Sequence, residues 1–349
     1  MTQRTIAAIL AVPMVLALLV AAWWHPLPYV TYEPGLTLDV LAQDNGHEII
    51  EVQGHKAYHD DGQLRMTTVY VSRVNAKLRL FELMRDWFNS EDAVYPRKAV
   101  YQQDETVQDS QTAGAVDMVS SQDAATAVAL KELGYSVKPA IEVLHVDDGA
   151  PASGKLQVRD IFLEANGTLV TSSNDLKKAI TGTQPGQPVR FTVLRGGKKV
   201  EVSVVPKVKD GQPQVGIQLG GGFVFPFEVS VNIDPTIGGP SAGLMFSLGI
   251  YDTLTPGSLT GGQTVAGTGT IDATGKVGPI GGIQQKIAGA RAAGAKLFLV
   301  PAANCADAVG ASNGDMRLVE AATMHSAVQS IEAWVTNPDA ALPTCKGAS

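Results

Sequence analysis

The chain has 349 residues, enough for roughly two domains with cores of their own. Hydrophobic residues at 45% and charged residues at 17% place it among globular proteins rather than disordered ones. Lys and Arg number 27 against 34 Asp and Glu, and the resulting net charge of -7 argues against nucleic acid as a partner.

Residues 5–24, TIAAILAVPMVLALLVAAWW, carry no charge and have the length of a membrane-crossing helix. Arg4 before the run and Trp23 and Trp24 at its end fit a cytoplasmic N-terminus and an interfacial belt. The expectation is a single-pass membrane anchor with everything after His25 outside the cytoplasm; a cleaved signal peptide is the alternative. Residues 25–47 contain PLPYVTYEPG and read as an extended stalk, because prolines break helices.

Residues 48–137 read as strands and helices. Strand-like runs at 48–52 and 64–71 flank His55 and His59, which are four apart. Gly54 and Gly62 argue against a helix that would bring the two rings together, so no metal site is expected. Leu80, Leu83, Met84, Trp87 and Phe88 mark one face of a short helix, read as core packing. A second helix is expected over 118–133, capped by Ser120 or Ser121 and packing Ala125, Val128, Ala129 and Leu133.

Residues 138–208 alternate strand signals, a helical stretch at 174–181 and a hairpin about 195–198. The run IEVLHVDDGAPASGKLQVRDIFLEANGTLV resembles the core of a PDZ domain. That resemblance implies a module that captures chain ends by adding a strand to a sheet edge. Arg159 stands where the family usually has glycine, and the carboxylate-binding loop with its strand is not evident before Ile141. A shortened groove would make the module a positioning or gating element. Asn166-Gly167-Thr168 fits a glycosylation acceptor in form and is read as turn chemistry.

In residues 234–254, DPTIGGPSAGLMFSLGIYDTL, Gly238, Gly239 and Pro240 force a bend before an apolar run of helical spacing. Ser241 therefore stands at a helix start, where unpartnered N–H groups and a partial positive charge can hold an oxyanion. A simple N-cap is the alternative. Residues 264–301 read as strand, glycine-rich turn, strand, helix and strand, with Lys286 near the start of that helix. A serine hydroxyl needs a base, and a lysine surrounded by apolar neighbours can supply one. Lys276 follows a glycine, but its spacing is wrong for a phosphate loop, and no other nucleotide-binding motif occurs.

GGPSAG around Ser241, TGTIDATGKVGPIGGIQQK ending at Lys286 and the following AGARAAGAKLFLVP resemble the proteolytic domain of the Lon proteases. The resemblance implies a Ser–Lys dyad of Ser241 and Lys286, with Thr268 orienting the dyad and Gly239 and Pro240 shaping the turn. It places the Lon-type domain at 214–337, with 338–349 as a tail. It also implies a homo-oligomer, since these domains form six-membered rings. Many family members carry an acidic residue where this chain has Gly238; Asp234 is out of register and receives no role. GQLRMTTVYV with the 118–133 helix resembles the opening of the same domain, which would make the PDZ-like segment an insertion. Cys305 and Cys345, in a chain expected to face an oxidising space, form a candidate disulfide, with two free thiols as the alternative.

Anchor, PDZ-like module and Lon-type domain in this order resemble the membrane-anchored Lon-like serine proteases of bacteria, the YlbL type. The expected fold class is α+β or α/β multidomain, with an N-terminal transmembrane helix, a β-rich PDZ-like module and a Lon-type proteolytic domain. The expected function is ATP-independent endoproteolysis of protein or peptide substrates, with no cofactor and no metal. The alternative is a membrane-tethered PDZ scaffold whose protease fold is inactive.

Overall fold

The structure is a computed structural model that describes residues 3–44, 46–209 and 211–345. Helix α1 (Gln3–Trp24) runs through Pro13. Among the described residues, no helix is long and apolar enough to cross a membrane. The expected transmembrane anchor is corrected on that finding, and the single-pass, extracytoplasmic localisation drawn from it falls as well.

The expected stalk at 25–47 is also corrected. Past Pro26 and Pro28 the chain enters strand β1 (Tyr29–Asp39). Its third proline, Pro34, lies where the register shifts between Pro34 and Thr37. A bulge tolerates a residue that cannot donate to the ladder. Strands β2 (Ile50–Gln53) and β3 (Gln63–Val71) follow, and β3 pairs antiparallel with β1.

Helix α2 (Leu80–Phe88) forms as expected, but its apolar face is not core. Leu83 is buried, whereas Met84, Trp87 and Phe88 are exposed. Strand β4 (Ala93–Pro96) pairs with the other edge of β1. Helix α3 (Val107–Glu132) begins well before the expected 118. Thr106 and Asp109 close a capping box, with the Asp109 N–H donating to Thr106 Oγ1 at 3.1 Å and the Thr106 N–H to Asp109 Oδ2 at 3.0 Å. Ser120 and Ser121 are consequently mid-helix and cap nothing.

A second sheet follows, built from β5 (Lys138–Val146), β6 (Ile161–Ala165), β7 (Val189–Arg195), β8 (Lys198–Val204) and β9 (Ile217–Val224), in the order β8-β7-β6-β5-β9. Helix α4 (Ser173–Thr181) packs through Leu176 into its core with Val143, Phe162, Phe191 and Val204. Gly196 and Gly197, both at positive φ, make the two-residue β7–β8 turn. Strand β9 lies within the range expected for the protease domain, yet it pairs along the whole of β5. The PDZ-like sheet therefore runs past the expected boundary at 208.

The remaining elements are β10 (Glu228–Val231), which pairs with β2, then α5 (Gly243–Leu254), β11 (Thr264–Gly267), α6 (Ile283–Ala292), β12 (Leu297–Pro301), β13 (Arg317–Ala321) and α7 (Met324–Thr336). They complete the first sheet, in the order β13-β12-β11-β3-β1-β4. Strand β11 lies parallel to both β3 and β12, so segments from before and after the PDZ-like sheet share one ladder.

Successive residues of β12 serve opposite faces of this sheet. Leu297 and Leu299 enter a core with α3, α5 and α7, while Phe298 and Val300 enter another with Ile283 and Ile287 of α6. A strand covered on both sides must be apolar throughout, as LFLVP is. Cys305 and Cys345 are joined by a disulfide. Arg317 Nη2 donates to the Ala340 carbonyl at 2.8 Å, so the described part of the 338–349 tail lies against β13.

Candidate active site

Gly239 adopts φ +93, in the region open chiefly to glycine, and turns the chain sharply into Pro240. Its N–H donates to the Gly114 carbonyl of α3 at 2.9 Å. The Pro240 carbonyl accepts from Ser121 Oγ, also of α3, at 3.0 Å. Ala242 occupies the cap position of α5, one residue after Ser241. The Ser241 hydroxyl is thus not a helix cap; it faces Lys286.

Three side chains converge there. Lys286 Nζ lies 2.7 Å from Ser241 Oγ and donates to Thr268 Oγ1 at 2.9 Å. Thr268 Oγ1 in turn donates to the Ser241 carbonyl at 3.0 Å, and the Gly269 N–H donates to the same oxygen at 2.8 Å. Thr268 follows β11 directly, while Lys286 is carried by α6 across the opposite face of the sheet. The site thus assembles at the end of β11. Both of these side chains are buried, Lys286 at 2% exposure and Thr268 at 0%. Burial lowers the Lys286 pKa from 10.5 to about 7, because an ammonium loses its hydration there.

The backbone around Ser241 divides its donors. The Gly239 and Leu244 N–H groups are engaged by the Gly114 and Gly269 carbonyls. Among the described residues, the N–H groups of Ser241 and Ala242 make no hydrogen bond. They sit beside Ser241 Oγ at the positive end of α5.

The other singled-out residues stand elsewhere. Asp234 Oδ1 accepts from the Thr236 N–H at 2.8 Å and closes a local turn. A Cβ on Gly238 would stand 3.1 Å from Gly114 Cα, so an acidic side chain there would press on α3. His55 bonds Tyr135 OH at 2.8 Å and stacks on Phe227, while His59 pairs with Glu48 at 3.1 Å, so the two rings do not meet. Asn166 occupies a turn at φ +50, and its Oδ1 accepts from the Arg190 N–H at 2.9 Å. Gly114 and Ser121 are the contributors that sequence reasoning missed. The Thr106–Asp109 box would have extended α3 far enough to include Gly114.

The strand sought before Ile141 in the PDZ-like module comes from the other direction. Strand β9 occupies one edge of that sheet, beyond β5. A cavity of about 540 Å³ lies between it and α4, lined by Ser173, Lys177, Ile180, Gly216, Ile217 and Leu219 among others.

Two protein families match parts of the chain. Residues 116–205 match the PDZ domain family, and residues 235–329 match the Lon protease (S16) C-terminal proteolytic domain. A probable periplasmic serine endoprotease, DegP-like, of Ectopseudomonas mendocina is 35% identical over 69 residues, 19% of this chain and 15% of that protein. The protein of the same description from Pseudomonas putida is 30% identical over 78 residues, 22% of this chain and 16% of that one. The chain thus spans about a sixth of the length of the curated relatives it matches. Among solved structures, the PDZ domain of an SdrC-like protein from Listeria innocua is 29% identical, covering 23% of this chain and 92% of that one, with a TM-score of 0.22. Its counterpart from Listeria monocytogenes is 27% identical, covering 23% and 86%, with a TM-score of 0.22.

Proposed function

We propose that the chain is a serine endopeptidase in which Ser241 is the nucleophile and Lys286 the general base. The observation that carries this reading is the 2.7 Å contact between Ser241 Oγ and a lysine held at 2% exposure. A lysine titrating near 7 is neutral often enough at physiological pH to accept a proton. Thr268 fixes both partners, one through its oxygen and the other through its hydroxyl proton.

In the proposed reaction neutral Nζ takes the Oγ proton as Oγ bonds to the substrate carbonyl carbon. The N–H groups of Ser241 and Ala242 hold the oxyanion. The ammonium passes its proton to the amide nitrogen as the C–N bond breaks, leaving an ester on Ser241. Nζ then takes a proton from water as its oxygen attacks the ester. That proton returns to Oγ when the C–O bond breaks. No step draws on a nucleotide, and the substrates are peptide segments already accessible. The PDZ-like module serves them by strand addition along β9, beside α4.

The test is a time course of casein or fluorescent-peptide cleavage without ATP, run beside Ser241→Ala and Lys286→Ala. Cleavage lost in both variants is the expected outcome. Wild-type cleavage retained by both would overturn the dyad.

A further inference from the structure

Where α3 passes the PDZ-like sheet, two buried carboxylates meet an arginine whose side chain is 41% exposed, a cluster that the proposed reaction does not use. Arg159 Nε donates to Asp123 Oδ1 at 3.2 Å, and its Nη2 donates to Gln122 Oε1. Glu142 of β5 lies beside them at 2% exposure. Glu142 Oε1 and Asp123 Oδ2 are buried and, with both carboxyls ionised, have no hydrogen-bond partner among the described residues. A Cβ on Gly222 would stand 2.3 Å from Glu142 Oε2, so β9 closes over the carboxyl. Arg159 itself holds φ +69, a conformation that a side chain disfavours. The chain tolerates that strain to bring a guanidinium to this point.

The same helix grips the bend that carries Ser241. Ser121, adjacent to Gln122, donates to the Pro240 carbonyl, and Gly114, two turns earlier on the same face, accepts from the Gly239 N–H. The approach is close at both points. A Cβ on Gly114 would stand 3.5 Å from Gly238 Cα, and one on Gly243 would stand 2.9 Å from Ser121 Oγ.

We propose that Arg159, Asp123 and Glu142 are positioning residues through which the PDZ-like module sets the backbone around Ser241, with Ser121 of α3 as the point of contact. The effect on rate rests on the peptidase reading; the mechanical coupling does not. The coupling also titrates. Asp123 faces Glu142 from α3 and Arg159 faces it from the turn before β6, while β6 offers Ile161 and β9 only glycines. Asp160 is engaged by Arg195. One guanidinium cannot balance two buried carboxylates. Burial, and next the Asp123 charge, therefore raise the Glu142 pKa to about 9, so it keeps its proton at neutral pH. Above that value two anions share one cation and the joint loosens.

Amide hydrogen exchange on the full chain carrying Ser241→Ala tests this, since it reads the bend whether or not the chain is a peptidase. Ser121→Ala and Arg159→Gly are each expected to lower protection at the hydrogen-bonded amides of Gly239, Gly243 and Leu244 by about tenfold at pH 7. Glycine suits the left-handed backbone at 159, and near-UV circular dichroism reports whether that variant keeps its packing. The parent is expected to lose further protection between about pH 8 and 10, and Glu142→Gln, neutral throughout, to abolish that loss. Unchanged protection at Gly239, Gly243 and Leu244 in folded Arg159→Gly overturns the proposal, as does a pH step in Glu142→Gln equal to the parent's. If Arg159→Gly fails to pack, the Glu142→Gln comparison decides alone. Restoring Ser241 separates the two readings: coupled protection in a chain that cleaves nothing sustains this proposal and removes the peptidase.

Discussion

Lys286 and Glu142 are each 2% exposed, and burial pushes both toward the neutral form, the lysine down to about 7 and the glutamate up to about 9. Their surroundings differ. Lys286 has two hydroxyl partners and, among the described residues, no charged one in hydrogen-bond contact, which suits the base proposed for it near neutrality. Glu142 sits beside another carboxylate and an arginine, and its protonated form donates to Asp123. It keeps a proton rather than exchanging it near pH 7. Equal burial thus leaves a lysine against two hydroxyls in one place and a glutamate against an aspartate in the other, and the neighbours set what each group can do.

The largest effect that sharpens this contrast is loss of the base itself. Lys286→Arg, which cannot give up its proton, is expected to reduce peptide cleavage about 10³-fold or more, as is Ser241→Ala. Steady-state kinetics with one fluorescent peptide checks both. Next comes the acid limb: kcat/KM is expected to fall about tenfold per pH unit below the Lys286 pKa of about 7. A flat profile from pH 5 to 7 would break the assignment of lysine as base. Thr268→Val keeps the shape and removes both hydroxyl contacts; a loss of about 10–100-fold in kcat is expected, the range of a hydrogen bond to a charged group.

The smallest effects are on stability, and their signs oppose. The unfolded chain protonates Lys286 up to its ordinary 10.5 and the folded chain only to about 7, so this group makes stability rise with pH across that window. The unfolded chain releases the Glu142 proton near 4.5 and the folded chain near 9, so this group makes stability fall with pH between those values. Lys286→Met is expected to remove the first slope and Glu142→Gln the second, each worth about 1 kcal/mol per pH unit. Urea midpoints from pH 5 to 10 measure both. Identical slopes in the two variants would break the comparison.

Much of the Ser241 neighbourhood was legible, since GGP before an apolar helical run and a lysine opening another helix are local patterns. The first hundred residues misled for equally local reasons. Prolines at 26, 28 and 34 suggested a stalk, although only Pro34 lies inside β1, and there at a bulge. The apolar face of α2 reads as core, yet Trp87 and Phe88 are exposed among the described residues. The α3 start is legible in Thr106 and Asp109, but the polar and small residues at 110–115 carry no apolar period to extend the helix back to them.

The sequence alone determined the residue types at the candidate site, the bend before Ser241, the PDZ-like strand pattern and the apolar strand 297–301. These depend on backbone preference and on periodicity within a few residues. Tertiary structure alone decided that β3 and β11 are neighbours, that β9 closes the PDZ-like sheet, and that Ser121 reaches Pro240 while Gln122 and Asp123 hold Arg159. Ser121 and Pro240 lie 119 residues apart in the chain, and Asp123 and Arg159 lie 36 apart. No local pattern encodes such pairs, because they arise only when separate helices and sheets bury their faces against one another.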